Sequence, residues 1–331
     1  MTSRPRIAIV SPAAARDNNG NWQTASRWAR LLGERCLVEV CGDWPAPGSR
    51  GAPEAPAPDL LVALHARRSA AALAAFRAAF PARPTVLVLT GTDLYRDIDT
   101  DPEARASLER ADALVVLQEA ALERLPAPLR AKARVIFQSA PTLAPAARSN
   151  GQVDVCMIGH LRAEKDPLTF MRAAALVADP RVRLLHIGGA LDPALEAAAR
   201  ATEAATPRYR WLGPLPHQEA RTRLAACHAM VIASEMEGGA NVIIEAVTSG
   251  VPVLASGIEG NRGMLGNDYA GYFPLGDAQA LAALIDRIAL DAAFDALLRR
   301  QCAARAPLFA PAAEQAALAD LVDNLLRARA P

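Results

Sequence analysis

The chain has 331 residues, which is more than a single hydrophobic core usually supports, so two domains are expected. Its 36 basic and 35 acidic residues leave a net charge of +1, which argues against a general nucleic-acid-binding protein and against electrostatic docking on anionic lipid. The five cysteines are odd in number and no apolar run approaches the roughly 18 residues of a membrane span, so we expect a cytoplasmic protein with reduced thiols.

In the first half of the chain, short apolar runs alternate with alanine-rich helical stretches. The predicted strands are residues 7–10, 37–41, 60–64, 86–89, 113–117 and 135–137. Predicted helices lie near residues 22–32, 69–80 and 102–110, and the Pro- and Gly-rich residues 45–58 predict a surface loop. Strands that alternate with helices predict a parallel sheet with right-handed crossovers.

The first predicted strand runs into a polar loop that opens a helix. Asn19, Gly20 and Asn21 stand at this opening, and Thr24 and Arg27 lie on the first turns of the helix. The N-terminus of a helix attracts anions, so these residues are candidates for binding a small anion. An ordinary strand–helix turn would give the same pattern.

Two further strand ends in this half carry polar residues. His65 follows strand 60–64, and Thr92 and Asp93 follow strand 86–89. Doubly wound sheets bind ligands at the carboxyl ends of their strands, so all three residues are candidates for contact with a ligand. A single histidine at a strand end is alternatively structural.

A second series of strands and helices follows a linker at residues 140–152. Its predicted strands are residues 153–158, 184–187, 209–212, 229–232 and 251–255, and its predicted helices lie near residues 167–177, 193–205, 218–226, 278–290 and 312–327. Asp166 is the predicted N-cap of the first of these helices, and Pro167 is its predicted first residue.

The two series together predict an α/β protein with two doubly wound, Rossmann-like domains that face a central cleft. The first predicted domain covers residues 1–145, and the second covers residues 146–310. Residues 311–331 form a C-terminal helix that would pack back on the first domain.

Strand 153–158 ends in a segment with two cations. Gly159 follows the strand, and Arg162 and Lys165 come shortly after it. Their spacing can place both cations on one diphosphate, since arginine forks across two oxygens and lysine supplies a compact charge. Solvated surface charge is the alternative interpretation.

The stretch from Glu237 to Glu245 is the most informative part of the chain. A glutamate precedes a glycine loop, a helix opens near Asn241, and a second glutamate lies one turn inside. The helix start suits a phosphate, and the two carboxylates can accept hydrogen bonds from hydroxyl groups. This combination describes a nucleotide sugar, although glutamates at a helix start are also common as surface charge.

The full string from Ser234 to Ser256 closely resembles the signature of the family-4 retaining glycosyltransferases, which have the GT-B fold. The resemblance implies that Glu237 contacts the donor hexose and that Glu245 contacts the nucleotide ribose. It also implies that Arg162 and Lys165 neutralise the leaving diphosphate. The implied donor-binding residues are Gly159, Leu212, Gly213, Gly238, Gly239, Ala240, Asn241, Glu245 and Asn261. The resemblance also implies that residues 1–145 form the acceptor side and residues 146–310 the nucleotide-sugar side. The implied acceptor-binding residues are Asn19, Gly20, Asn21, Thr24, Arg27, His65, Thr92 and Asp93.

Residues 146–310 contain no Asp-x-Asp pair and no histidine cluster with metal spacing. We therefore expect no metal and no cofactor, with the UDP-sugar as the donor substrate and Arg162, Lys165 and Glu237 as the catalytic residues. The sequence departs from the family at Asn261, where most members have another loop, and at Thr92-Asp93, where a His-Asp pair is usual.

The loops at residues 19–25, 90–97, 237–242 and 260–266 together resemble those of the selenosugar synthases of selenoneine biosynthesis, a subgroup of this family, and the likeness covers essentially the whole chain. That resemblance implies transfer of a hexose or N-acetylhexosamine from UDP to selenophosphate, which forms a 1-seleno-sugar. Three alternatives stay open. One is transfer to a hydroxyl or thiol of a glycan, glycolipid or small metabolite, and another is a nucleotide-sugar-binding protein without turnover. The third is a nucleotide-sugar epimerase, which would release UDP without a glycosylated acceptor. In every case the expected partners are small molecules, without nucleic acid or a membrane span.

Overall fold

The computed structural model describes residues 4–13, 20–44, 57–144, 146 and 151–328. The chain divides into two compact units, of which unit 1 comprises Met1–Gln138 and Pro311–Pro331 and unit 2 comprises Ser139–Ala310. Most of the predicted surface loop 45–58, and residues 145 and 147–150 of the predicted linker, lie outside the described residues.

Unit 1 is built on a six-stranded parallel sheet with the order β2-β1-β3-β4-β5-β6. Its strands are β1 (Arg6–Val10), β2 (Leu37–Cys41), β3 (Leu60–Leu64), β4 (Thr85–Leu89), β5 (Ala113–Val116) and β6 (Ala133–Val135). The residues of β3 and β4 are all buried, as expected for strands covered on both faces. The predicted parallel sheet is confirmed, with β6 two residues earlier than predicted.

The helices of unit 1 lie on both faces of this sheet, and apolar clusters fill both interfaces. They are α1 (Gly20–Leu32), α2 (Ala70–Ala79), α3 (Ile98–Thr100), α4 (Pro102–Arg110), α5 (Ala121–Arg124) and α6 (Ala127–Arg130). A π-helical turn, Asp93–Asp97, directly precedes α3. Such turns are rare and are frequent at functional sites.

Unit 2 repeats the architecture with the strand order β12-β11-β10-β7-β8-β9, and all of its strand pairs are parallel. Its strands are β7 (Val153–Ile158), β8 (Val182–Ile187), β9 (Tyr209–Trp211), β10 (Ala229–Ile232), β11 (Val253–Ser256) and β12 (Tyr272–Phe273). Its helices are α7 (Pro167–Leu176), α8 (Pro193–Ala205), α9 (His217–Ala226), α10 (Asn241–Thr248), α11 (Glu259–Leu265), α12 (Ala278–Leu290) and α13 (Ala292–Arg305).

The start of α7 confirms the predicted cap. Asp166 accepts a hydrogen bond from the Thr169 backbone N–H, and Pro167 is the first helical residue. The short strand β12 and the helices α11 and α13 were not predicted. The helix α11 was not predicted because it contains Gly260 and Gly263, and glycine is a poor helix former.

The C-terminal helix α14 (Pro311–Arg327) belongs to unit 1, where Leu318 and Val322 join the apolar cluster around Trp28. Its buried Glu314 accepts a hydrogen bond of 2.7 Å from the Trp28 indole nitrogen. Among the described helices, none is long and apolar enough to cross a membrane.

Candidate functional site

The cations predicted to bind a diphosphate lie just beyond the carboxyl end of β7. Here β7 and β8 approach closely, since a Cβ on Gly188 would lie 1.9 Å from the carbonyl oxygen of Gly159. The aliphatic part of Lys165 passes over Gly159, where a Cβ would lie 3.6 Å from its Cγ. Arg162 is exposed in extended backbone, and its guanidinium has no partner among the described residues. Both cations therefore lie at the ligand-binding edge of the sheet.

Lys165 reaches a residue of the second motif directly. Its Nζ lies 2.5 Å from Glu237 Oε1, and the two side chains are 19% and 10% exposed. The Glu235 backbone N–H donates to the carbonyl of Glu164 at 3.0 Å, which joins the two loops. Gly260 holds the glutamate loop from the other side, since a Cβ there would lie 2.1 Å from the Glu237 carbonyl oxygen. All three predicted catalytic residues lie within this loop pair.

The helix α10 begins at Asn241, as predicted, after Gly238, Gly239 and the N-cap Ala240. Ala240 provides no side-chain cap, so its side chain leaves the first N–H groups of the helix to other partners. Glu245 lies one turn inside and is 8% exposed. The loop and helix therefore combine an anion-attracting N-terminus with a nearly buried carboxylate.

Glu245 is paired with a residue that the sequence analysis missed. His217, the first residue of α9, places its Nε2 2.6 Å from Glu245 Oε1. This hydrogen bond raises the pKa of His217, against the opposing effects of partial burial and of Arg221. The carboxylate predicted to hold the ribose is thus occupied by an imidazole.

The remaining predicted donor residues contact other strand ends. The Leu212 N–H donates to His186, and the Gly213 carbonyl accepts from Gly188, so this segment is fixed beside the end of β8. Gly213 has a φ of 68°, a conformation that favours glycine.

Asn261 lies in the interior of unit 2, whereas the sequence predicted a contact with the donor. It is fully buried, and its Nδ2 donates to the carbonyl and the Oγ of Ser256, each at 3.0 Å. The Ser256 hydroxyl in turn donates to the Ser234 carbonyl at 2.7 Å. Asn261 therefore fixes the loops after β10 and β11 from within.

In unit 1 the predicted acceptor residues have other partners. Asn19 lies outside the described residues, whereas Gly20 and Asn21 are the first two residues of α1. Thr24 is buried, donates to the Gly20 carbonyl at 2.8 Å and accepts from the Gln138 amide. Thr24 is therefore part of the interior packing.

Arg27 has a structural role that corrects its interpretation as a free cation. Its Nε lies 2.9 Å and 3.1 Å from the two carboxylate oxygens of Glu314, and its side chain is 11% exposed. This pair joins α1 to α14, and it neutralises the charge that was predicted to attract the acceptor.

His65 is buried at the end of β3 in the left-handed region, with a φ of 75°. Its Nδ1 accepts from the Arg68 backbone N–H at 3.4 Å, and its Nε2 lies 3.1 Å from the Thr92 hydroxyl oxygen. Burial lowers the pKa of His65. We therefore assign the neutral tautomer with the proton on Nε2, which donates to Thr92.

Asp93 is fully buried and its carboxylate is occupied by the neighbouring backbone. It accepts hydrogen bonds of 2.9 Å from the N–H groups of Ala66, Thr90 and Gly91. Asp93 therefore joins the loops after β3 and β4, and the prediction that it binds the acceptor directly is corrected to this structural role. Across the described part of the chain, no group of three His, Cys, Asp or Glu side chains could hold a metal ion.

Known proteins resemble this chain in both fold and sequence pattern. The family model for glycosyl transferases group 1 matches residues 143–309, which is half of the chain. HepE of Anabaena, in a crystal structure with UDP and glucose, has a TM-score of 0.76 at 18% identity, covering 97% of this chain and 100% of HepE. Sucrose-phosphate synthase from Thermosynechococcus elongatus has a TM-score of 0.75 at 20% identity, covering 98% of this chain and 100% of the synthase.

A third structure, the lipopolysaccharide outer core galactosyltransferase WaaB, has a TM-score of 0.68 at 13% identity, covering 98% of this chain and 100% of WaaB. At such identities the likeness establishes the fold. The predicted GT-B fold, with its two parallel-sheet α/β domains, is confirmed.

Proposed function

The chain belongs to the group 1 glycosyl transferases and is a glycosyltransferase; from this premise we propose that it takes its sugar from a UDP-sugar. Support comes from HepE, whose crystal structures hold UDP or UDP-glucose. The loop pair of unit 2 offers the matching chemistry: Lys165 and Arg162 for the diphosphate, Glu245 for the ribose and Glu237 for the hexose.

The proposed acceptor is selenophosphate, and the state of His65 and Asp93 is the observation that carries this proposal. An alcohol acceptor needs a base to remove its proton. His65 is neutral, with both ring nitrogens engaged, and the Asp93 carboxylate holds three backbone N–H groups. A selenium nucleophile that is already anionic has no need of that base.

The proposed reaction balances without an oxidant or reductant. The selenium atom attacks C1 of the sugar, the C1–O bond breaks, and its electron pair leaves with the β-phosphate of UDP. Water then attacks phosphorus, and the P–Se bond breaks with its electron pair on selenium. The products are UDP, inorganic phosphate and a 1-seleno-sugar.

The diphosphate charge that grows during transfer is stabilised by Lys165 and Arg162 in this proposal, without a metal ion. A chelator should therefore leave the rate unchanged. Activity that disappears with EDTA and returns with Mg²⁺ or Mn²⁺ would exclude the metal-free proposal. We propose that the enzyme works in the cytoplasm on these small-molecule substrates.

The decisive experiment incubates the purified protein with UDP-glucose or UDP-N-acetylglucosamine and selenophosphate. We expect a selenium-containing sugar by mass spectrometry, together with free UDP and phosphate. Efficient glycosylation of a thiol or a sugar alcohol, with no selenium-containing sugar from any common UDP-hexose, would replace selenophosphate by that acceptor. If the protein bound the UDP-sugar but neither transferred the sugar nor hydrolysed the donor slowly, it would instead be a binding protein.

A further inference from the structure

Two arginines meet at one carboxylate beyond the carboxyl ends of β3 and β4. The two strands pair in parallel with Leu64 opposite Val88, so the loops that follow them lie side by side. Arg67 lies in the loop after β3, and Arg96 and Asp97 lie in the π-helical turn after β4. Neither arginine was among the residues predicted from the sequence.

The contacts of this cluster leave most of its hydrogen-bonding capacity unused. Asp97 accepts from the Nε of Arg67 at 2.9 Å and from the Nε of Arg96 at 3.3 Å. The Asp97 side chain is 7% exposed, whereas the two arginine side chains are 40% and 49% exposed. As far as the described residues show, the terminal nitrogens of both guanidinium groups have no protein partner. One buried carboxylate therefore orients two open guanidinium forks.

The charge of the cluster is unbalanced in the direction that an anion requires. Burial acts to raise the pKa of Asp97, but the hydrogen bonds from Arg67 and Arg96 outweigh it and hold that pKa below its ordinary value. Asp97 is thus ionised near neutral pH, and within this trio two positive charges face one negative charge. Arg68 adds a further cation nearby, Asp101 acts on Arg67 from outside the trio, and the Asp93 carboxylate is held by three backbone N–H groups. An excess positive charge with four free donor nitrogens matches a tetrahedral oxyanion, because each fork can hold two oxygens.

A hydroxyl group borders the same cluster. His65 Nε2 lies 3.8 Å from Asp97 Oδ2 and donates to the Thr92 oxygen at 3.1 Å, so the Thr92 proton is directed elsewhere. The left-handed backbone of His65 is uncommon for a residue with a side chain, and such strain concentrates at functional sites.

We propose that Arg67 and Arg96, oriented by Asp97, bind the phosphoryl oxygens of the acceptor, with a further hydrogen bond from Thr92. This inference rests on the proposed function and deepens it, since it gives the phosphoryl end of selenophosphate its own subsite. It also supplies cations for binding the acceptor, since Arg27, which was predicted for that role, is paired with Glu314. The inorganic phosphate released by the reaction would bind the same subsite.

The test compares wild-type protein with Arg67→Gln, Arg96→Gln and the double variant. Arg35→Gln is the matched control, since Arg35 also belongs to unit 1, is exposed, and pairs with Asp323 at 2.9 Å. Each single variant should raise the KM for selenophosphate about 10-fold, and the double variant about 100-fold, because each loses charged hydrogen bonds to the acceptor. The control and the UDP affinity measured by calorimetry should not change. Arg67→Lys should raise the KM for selenophosphate less than Arg67→Gln does, since lysine keeps the positive charge but lacks the forked guanidinium group.

The outcomes separate this inference from the proposed function. An unchanged selenophosphate KM in the double variant, with selenosugar still formed, would overturn the subsite alone. A loss of UDP affinity in that variant would overturn it too, because the arginines would then serve the donor. If the wild type formed no selenosugar, the proposed acceptor would be wrong. Phosphorus NMR titration with inorganic phosphate would then still decide whether Arg67 and Arg96 form an oxyanion subsite. Weaker phosphate binding in the double variant than in Arg35→Gln would support an oxyanion subsite, and equal binding would exclude it.

Discussion

The two units hold their candidate residues in opposite states. In unit 2 four of the charged candidates form two pairs, Lys165 with Glu237 and His217 with Glu245, and within the described residues their side chains bond to no further side chain. In unit 1 the residues predicted to bind the acceptor are bonded into the fold: Asp93 holds two loops together, and Arg27 joins α1 to α14.

This difference distinguishes groups that can exchange partners from groups that cannot. Under the proposed function, a diphosphate oxygen would replace Glu237 at Lys165, and a ribose hydroxyl would replace His217 at Glu245, because ligand hydrogen bonds replace those that are lost. Replacing the partners of Asp93 would leave backbone N–H groups buried without an acceptor. A polar residue at a strand end is therefore a binding candidate only when its hydrogen bonds can be exchanged.

The largest expected effect concerns the cations of unit 2. Lys165→Ala and Arg162→Ala should each lower kcat roughly 10²–10³-fold, since each removes charge that stabilises the departing diphosphate. Steady-state kinetics with saturating UDP-sugar measures this. Arg172→Ala, which removes an exposed arginine on the adjoining helix α7, should retain the wild-type rate. Equal rates in all four proteins would contradict a role for this loop in transfer.

The next effect divides the two glutamates of unit 2. Glu245→Ala should weaken UDP binding roughly 10- to 150-fold, because a charged hydrogen bond to the ribose is lost. Glu237→Ala should leave UDP affinity nearly intact and reduce turnover and sugar preference. Calorimetry with UDP and kinetics with two UDP-hexoses separate the roles. Unchanged UDP affinity in Glu245→Ala would disprove this division.

The fold was largely predictable because apolar strand periodicity is a local property. All six strands of unit 1 were predicted, although β6 was shifted. The helix α11 was missed because of a tertiary contact. Position 260 requires glycine, since a Cβ there would lie 2.1 Å from the Glu237 carbonyl oxygen, and such a contact leaves no signal in the local sequence.

The site was predictable in part. The motif residues of unit 2 come together because strand ends fix where they lie. The sequence could not show which hydrogen bonds are already used: Arg27 and Glu314 are 287 positions apart, and nothing near Arg27 indicates its partner. His217 was missed for the same reason, since its contact with Glu245 joins α9 to α10.

A third prediction tests whether Asp93 is a structural residue. Asp93→Ala would leave three backbone N–H groups without their acceptor, so the free energy of unfolding should fall by about 2–3 kcal/mol. Urea denaturation followed by circular dichroism measures the change. Asp99→Ala removes an exposed carboxylate from the neighbouring helix α3 and should have little effect. Wild-type stability in Asp93→Ala, with a large rise in the acceptor KM, would return Asp93 to the acceptor site.

The smallest expected effect is a pH dependence of UDP binding, because the ribose would replace His217 at Glu245. The hydrogen bond to Glu245 raises the pKa of His217 above its ordinary 6.5, while partial burial and Arg221 act in the opposite direction. The pair therefore contributes stability that is fully present below about pH 6.5 and is lost as pH rises through the raised pKa.

The affinity for UDP should depend on pH in the opposite direction. If the ribose displaces His217, binding releases the extra proton, so UDP affinity should increase with pH between the ordinary and the raised pKa, by at most about tenfold per pH unit. Ionisation of UDP itself affects wild type and His217→Gln alike, so the difference between their affinity profiles isolates the imidazole. Calorimetry in buffers of different ionisation enthalpy should show more proton release from wild type than from the variant. Identical profiles and identical proton release would mean that His217 stays on Glu245 when UDP binds, and that this pair is as fixed as those of unit 1.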